Sequence, residues 1–257
     1  MQPKEQMYHK TDSLESRFLN IFSPQMSNNY FRFKQFCIHH DRCAMKVGTD
    51  GVLLGAWGCV EGRRILDIGS GTGLIALMAA QRNPEAKVLG IDIDEEAVAQ
   101  SRENIAESPF NSRVECVLQD ILTFETKELF DSILCNPPFF TEDTLSDDKS
   151  RALARNNKSL PFPLLIRKVS NILAENGIFS LIVPSGLVQE IVGLCMENDL
   201  HLIRRCQVHT TAQKPSRRTL LAFSKKNMIC DEQVLCLMSN DGTRSLQYQE
   251  LTKDFYL

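Results

Sequence analysis

No uninterrupted apolar run in these 257 residues approaches the ~20 that would cross a bilayer as a helix. A membrane-embedded chain is therefore not expected. The opening stretch MQPKEQMYHKTDSLESRF has no apolar core of the kind secretory leaders carry. None of the nine cysteines stands as C-x-x-C, and their number is odd and their spacing irregular. That speaks against a zinc ribbon, a thioredoxin-like site or a disulfide framework, and for reduced thiols in a cytoplasmic protein. Internal repeats and low-complexity tracts are missing too. Apolar residues make up 43% and charged residues 24%, which excludes disordered and collagenous classes.

One further absence is local. Residues 201–226 contain no Asp or Glu but seven Lys or Arg, against 22 bases and 32 acids elsewhere. A net charge of −3 thus hides a basic segment on an acidic body. Such a field steers an anionic partner, although a solvated strand pair would look the same.

Residues 1–28 are polar and lack sustained periodicity. They read as a flexible N-terminal extension or, around Leu14 to Phe22, a short docking helix. From Tyr30 onward, Phe31, Phe33, Phe36 and Ile38 alternate with polar residues, which suits a strand hairpin. Thr49 and Asp50 offer an N-cap for a helix through Trp57. Strands are then predicted at 64–68, 87–92, 114–118, 131–135, 178–183, 202–209 and 219–224. Helices are predicted at 74–81, 95–107, 162–173 and 187–198, the last two separated by an Asn176-Gly177 stop. This alternation implies a seven-stranded, doubly wound, mostly parallel α/β sheet of Rossmann-like type. The last two strands have no helix between them and should form an antiparallel hairpin at the sheet edge. Residues 29–257 read as a single domain.

Chemistry-bearing residues fall at strand ends. Asp67-Ile68-Gly69-Ser70-Gly71-Thr72-Gly73 closes the first parallel strand with G-x-G-x-G, not the dinucleotide spacing G-x-G-x-x-G. Gly69, Gly71 and Gly73 would let the backbone approach a ligand closely. Asp67, two residues earlier, would repel a pyrophosphate and suits a cationic ligand such as the sulfonium and ammonium of S-adenosylmethionine (SAM). Asp92 ends the next strand, where a carboxylate can accept both ribose hydroxyls. Asp94 reads as a helix cap. Asp120 follows the third strand and either accepts the exocyclic amine of an adenine or serves a turn. Asn136-Pro137-Pro138-Phe139 follows the fourth. Its prolines rigidify the turn. They aim two acceptors, the Asn136 side chain and the Pro137 carbonyl, at one point, matching a planar amino group. Phe139 offers a stacking face. Cys37 and His39 share one face of an extended segment, but no second ligand pair follows, so no metal site is expected. His201 and His209 read as structural or RNA-facing.

With these residues in view, the chain resembles class I SAM-dependent methyltransferases over roughly residues 45–225. Asn136-Pro137-Pro138-Phe139 is similar to the tetrapeptide of those that methylate planar amino groups. The stretch from Phe33 through Asp41-Arg42-Cys43-Ala44-Met45-Lys46-Val47-Gly48-Thr49-Asp50-Gly51 to Trp57 closely resembles the bacterial tRNA1(Val) (adenine-37-N6)-methyltransferase family. The similarity runs from about Tyr30 to the C-terminus. It implies SAM as cofactor, held by Thr49, Asp67, Gly69, Gly71, Gly73, Asp92, Asp120 and Asn136, with Lys46 and Thr49 on a segment that folds over it. The alternative reading of Thr49 is a helix cap, and that of Lys46 a solvated charge. It implies catalysis by Asn136, Pro137 and Phe139 on an adenine in an anticodon loop. Lys214, Arg217 and Arg218, with Arg151 and Arg155 of the polar stretch 141–159, would hold RNA phosphates. A monomer without metal is expected. Rival readings are guanine-N2 methylation of ribosomal RNA, glutamine methylation of a protein, and a non-catalytic SAM- or RNA-binding module.

Overall fold

A computed structural model describes residues 29–43, 46–138 and 160–257. The chain enters through a small antiparallel hairpin, β1 (Tyr30–Arg32) and β2 (Cys37–His39). Alternation buries Phe33, Phe36 and Ile38 beneath it. Helix α1 (Thr49–Trp57) follows. Its N-cap is Gly48, with no side-chain cap, so Thr49 is the first helical residue and not the expected cap.

Eight strands then build one sheet. They are β3 (Arg64–Ile68), β4 (Lys87–Asp92), β5 (Val114–Leu118), β6 (Phe130–Cys135), β7 (Leu173–Pro184), β8 (His201–His209), β9 (Arg218–Ser224) and β10 (Asp231–Cys236). Their spatial order is β10-β8-β9-β7-β6-β3-β4-β5. Only β9 runs antiparallel to its neighbours. All seven predicted strands are present, and β10 adds an eighth. It pairs parallel to β8 from Asp231 opposite Arg204 to Cys236 opposite His209. The β8–β9 pair is therefore internal and not the expected edge hairpin. The sequence hides β10 because four of its six residues are polar or exposed and only Leu235 is buried. Asn176-Gly177 is likewise not a gap between helix and strand. It falls inside β7, in the irregularity between the Leu173 and Ile178 pairings with β6.

Five more helices flank the sheet: α2 (Leu74–Arg82), α3 (Glu95–Ala106), α4 (Phe162–Ile172), α5 (Val188–Met196) and α6 (Leu246–Thr252). Consecutive strand residues point to opposite faces and so feed two cores. Ile65, Val88, Leu134, Ile182 and Leu220 pack under α1, α2 and α3. Leu66, Ile133, Leu181 and Leu221 pack under α4 and α5. On α4 the buried residues are Leu165, Ile166, Val169 and Ile172, a one-sided helical stripe. Each such aliphatic side chain contributes about 1.5–3 kcal/mol on burial. At the C-terminus, Ser245 caps α6 by accepting from the Tyr248 N–H. Tyr256 stacks on Phe33, and the Lys34 N–H donates to the Phe255 carbonyl, joining the last residues to the first hairpin.

The order of strands matters for function. From β3 the chain steps to β4 and β5 on one side, then returns to β6 on the other. The crevice beyond the carboxyl ends of β3 and β6 lies at this reversal, where open α/β sheets bind ligands. The glycine loop and Asn136 flank it.

Candidate active site

The loop after β3 turns on three glycines in the left-handed region, Gly69 (φ +70°), Gly71 (φ +52°) and Gly73 (φ +81°). The Gly69 and Ser70 N–H groups donate to the Ile91 carbonyl, and the Gly71 N–H to Asp92 Oδ2 at 2.8 Å. The glycines differ in what they face. A Cβ at Gly69 or Gly71 would meet nothing within 4 Å, whereas one at Gly73 would lie 2.6 Å from Ser101 Oγ. Gly69 and Gly71 border open space. Gly73 is the N-cap of α2, packs against α3 and is not among the residues lining the two cavities described below.

The Asp67 side chain is wholly buried and is not among the residues lining the two cavities. Oδ2 accepts from the Ala76 N–H at 3.1 Å, and Oδ1 is buried with no partner among the described residues. Burial pushes this carboxyl up to about 7, against the lowering effect of the Ala76 bond. Asp92 is placed as expected, on the cavity wall at the end of β4. Its oxygens accept from the Gly71 and Asp94 N–H groups, and a carboxylate keeps further lone pairs for two hydroxyls. Asp94 caps α3 by accepting from the Glu96 and Ala97 N–H groups. Asp120 serves the turn, its Oδ1 accepting from the Leu122 N–H, and also faces the larger cavity.

Two cavities meet here. The larger, about 450 Å³, runs past Asp92, Ile93, Asp120 and Leu122 with Cys43 and Pro138 on its wall. The second, about 380 Å³, is lined by Lys46–Asp50, the glycine loop and the start of α2. Both volumes are in the range of small-molecule sites. Gly69, Gly71 and Asn136 border both. Thr49 and Lys46 line the second cavity only, and Pro137 is buried and lines neither. Cys43, like Ile93 and Leu122, is a wall residue that motif reading missed. Burial pushes its thiol up to about 11, so it presents a neutral surface.

The basic segment divides. Arg218 donates from Nε to Asp50 Oδ2 at 2.7 Å, beside the second cavity. Arg204 stacks 3.8 Å over Trp57 and donates to its carbonyl, Arg205 pairs with Glu232, and Lys225 donates to the Leu173 carbonyl. Lys214 and Arg217 are exposed, with no side-chain partner among the described residues. Arg218 lies opposite Pro184 at the carboxyl end of β7, so this loop sits at the same end of the sheet as Asn136. Phe139, Arg151, Arg155 and the extension 1–28 lie outside the described residues. Among those described, no group of three or more His, Cys, Asp or Glu is arranged to hold a metal, and no helix is long and apolar enough to cross a membrane.

The donor set fits SAM. Open space over Gly69 and Gly71 admits a ligand against bare backbone, and Asp92 and Asp120 supply acceptors along the larger cavity. The family model described as "Methyltransferase small domain" matches residues 48–190. Over 90% of the chain, it is 42% identical to the tRNA1(Val) (adenine(37)-N6)-methyltransferase of Bacteroides thetaiotaomicron, spanning 99% of that protein. Proteins of the same name from Phocaeicola vulgatus and Aeromonas hydrophila are 45% and 43% identical, each over 90% of the chain. The chain belongs to this methyltransferase family. Its fold is shared with a protein described as a predicted O-methyltransferase from Agrobacterium tumefaciens (TM-score 0.63, 20% identity, 80% of this chain and 96% of that one). Gly69, Gly71 and Asn136 border both cavities, and Asp92 and Asp120 line the larger one.

Proposed function

We propose that this methyltransferase modifies the exocyclic N6 of adenine 37 in the anticodon loop of tRNA1(Val), acting as a cytoplasmic monomer. The observation that carries the reading is the position of Asn136, shared with Gly69 and Gly71 by both cavities. Asp92 accepts the ribose hydroxyls, and Asp120 the adenine amine of the cofactor. When bound, SAM supplies an electrophilic methyl with its own leaving group. The lone pair of an adenine N6 is delocalised into the ring and is a poor nucleophile. Asn136 Oδ1 and the Pro137 carbonyl accept hydrogen bonds from its two N–H groups, favouring a tetrahedral nitrogen in the transition state over the planar ground state. As the N–C bond forms, the S–C bond of SAM breaks, and the methylated nitrogen then releases one proton to solvent. The rigid turn also fixes the line of approach. Phe139 stacks on the base, whose extrusion from a single-stranded loop costs little. Lys214 and Arg217, with Arg151 and Arg155, hold phosphates. Thr49 closes the second cavity.

The test is labelled SAM offered with unmodified tRNA, ribosomal RNA and a protein lysate in parallel, followed by nucleoside analysis. We expect N6-methyladenosine in tRNA, and at least a ~100-fold loss of kcat in Asn136→Ala, the scale for one misplaced transition-state hydrogen-bonding group. Label in ribosomal guanosine or in protein would overturn the acceptor. SAM binding without any turnover would point to a non-catalytic module.

A further inference from the structure

Helix α3 carries two amide side chains on its inward face, Gln100 and Asn104, each only 1% exposed. Four residues apart, they lie one above the other. Every polar atom they own is used. Asn104 Nδ2 donates to the Thr72 carbonyl of the glycine loop and to the His39 carbonyl at the end of β2, both at 2.9 Å, while its Oδ1 accepts from the His39 N–H at 2.8 Å. Gln100 Oε1 accepts from the Arg42 and Cys43 N–H groups at 2.9 and 3.2 Å, and its Nε2 donates to Asp41 Oδ1 at 2.7 Å. The segment so held leads into both cavities: Cys43 walls the larger, and Lys46–Asp50 wall the second. Ala97, one turn earlier on the same helix face, lines the larger cavity, and Ser101 packs on Gly73. One helix face thus touches the glycine loop, the cavity wall and the N-terminal strap.

We propose that Gln100 and Asn104 are positioning residues that clasp the strap 39–43 to α3 and the glycine loop, and so hold the cofactor cavity in its binding-competent shape. The inference rests on the assignment of this cavity to SAM. A strap that spends most of its time released lowers apparent affinity by the fraction of time it is in place, without changing the transferred group's chemistry. The clasp is therefore a device for capture. Its polarity is specific: Gln100 must accept on one atom and donate on the other, because Asp41 is acceptor-only when ionised.

The test exploits that polarity. Gln100→Glu still accepts from Arg42 and Cys43 but sets a carboxylate against Asp41. Adding Asp41→Asn returns a donor to the pair from the other side. Isothermal titration with SAM, without RNA, reads affinity, and hydrogen exchange reads protection of the Arg42 and Cys43 amides. We expect Gln100→Glu to raise Kd and KM for SAM about tenfold, with less than about a twofold fall in kcat, and the double variant to recover both affinity and protection. Parent-like affinity in Gln100→Glu despite lost protection would overturn the proposal. So would a folded double variant that regains protection but not affinity. If Gln100→Glu does not fold, the exposed Asp41→Ala carries the test: about a threefold rise in Kd supports the clasp, and parent affinity overturns it. Because Kd and amide protection are read without RNA, their failure would leave the adenine acceptor untouched, and failure of the acceptor would leave the clasp intact.

Discussion

Around β3, β4 and β5 the polar side chains near the cavities are tied to backbone groups of the same neighbourhood. Asp92 accepts from Gly71 and Asp94, Asp120 from Leu122, Asp67 from Ala76, and Asn104 bridges Thr72 and His39. Around β8 and β9, Arg204 and Lys225 reach backbone carbonyls of other elements, but the remaining charges are held by side chains or by no partner among the described residues. Arg218 pairs with Asp50 and Arg205 with Glu232, while Lys214 and Arg217 stand in solvent. The first arrangement is preorganised and pays its ordering entropy on folding. The second leaves long side chains to be ordered when a partner arrives. A small cofactor with fixed groups is served by the first, and a flexible polyanion by the second.

Asp67 gives the sharpest test of the preorganised half. Its carboxyl titrates near 7 in the folded chain, mainly through burial, and near the ordinary 3.8 when unfolded. Between those values the folded state binds more protons, so stability is greatest below the unfolded value and is lost as pH rises toward 7. The loss is on the order of 4 kcal/mol at most. Urea denaturation from pH 4.5 to 7.5 should show this slope in the parent and its removal in Asp67→Asn. Equal slopes would mean that the buried carboxyl is ionised throughout, and the picture of a dry loop would fail.

The glycines sharpen the comparison within that half. Gly73→Ala forces a side chain at φ +81° against Ser101, and should lower stability by about 1–3 kcal/mol while leaving SAM affinity of the folded protein near that of the parent. Gly71→Ala meets no protein atom and should cost about 1 kcal/mol of strain, but its methyl occupies ligand space and should weaken SAM binding more than Gly73→Ala does. Denaturation midpoints and titration calorimetry separate the two. If both variants lost affinity equally, the division between packing and ligand-facing glycines would be wrong.

These distinctions were legible in the sequence to different depths. Alternation and helix caps placed the seven strands and the Asp94 cap, because those signals are local. The loop's chemistry was legible as a pattern, but three identical glycines gave no sign that Gly73 answers to Ser101, 28 residues on. The burial of Asp67 and its bond to the Ala76 N–H, nine residues on, leave no local mark in the motif. Strand β10 stayed hidden because an edge strand with one buried residue has no apolar pattern to read. The Arg218–Asp50 pair spans 168 residues and is a product of topology alone. Gln100 and Asn104 left a trace that could be found: two amides at helical spacing on a face where apolar residues belong.

The basic loop offers the smallest effect and the one that bears most directly on the comparison. A phosphate contact made by a free cation releases counterions, so removing it should lower the slope of log affinity against log salt by about one per contact. Lys214→Gln and Arg217→Gln should each do so, with a loss of tRNA affinity of about three- to tenfold at low salt. Arg218→Gln should behave differently. Its charge is already matched by Asp50, and its removal leaves that carboxylate alone beside the second cavity. The slope should then stay at the parent value while KM for tRNA rises modestly. Filter binding of unmodified tRNA across a salt series distinguishes the cases. A slope change for Arg218→Gln as large as that for Arg217→Gln would mean that the ion pair opens to meet RNA. The two halves would then be coupled through Asp50, which connects the cation directly to the start of α1 and to the cavity wall.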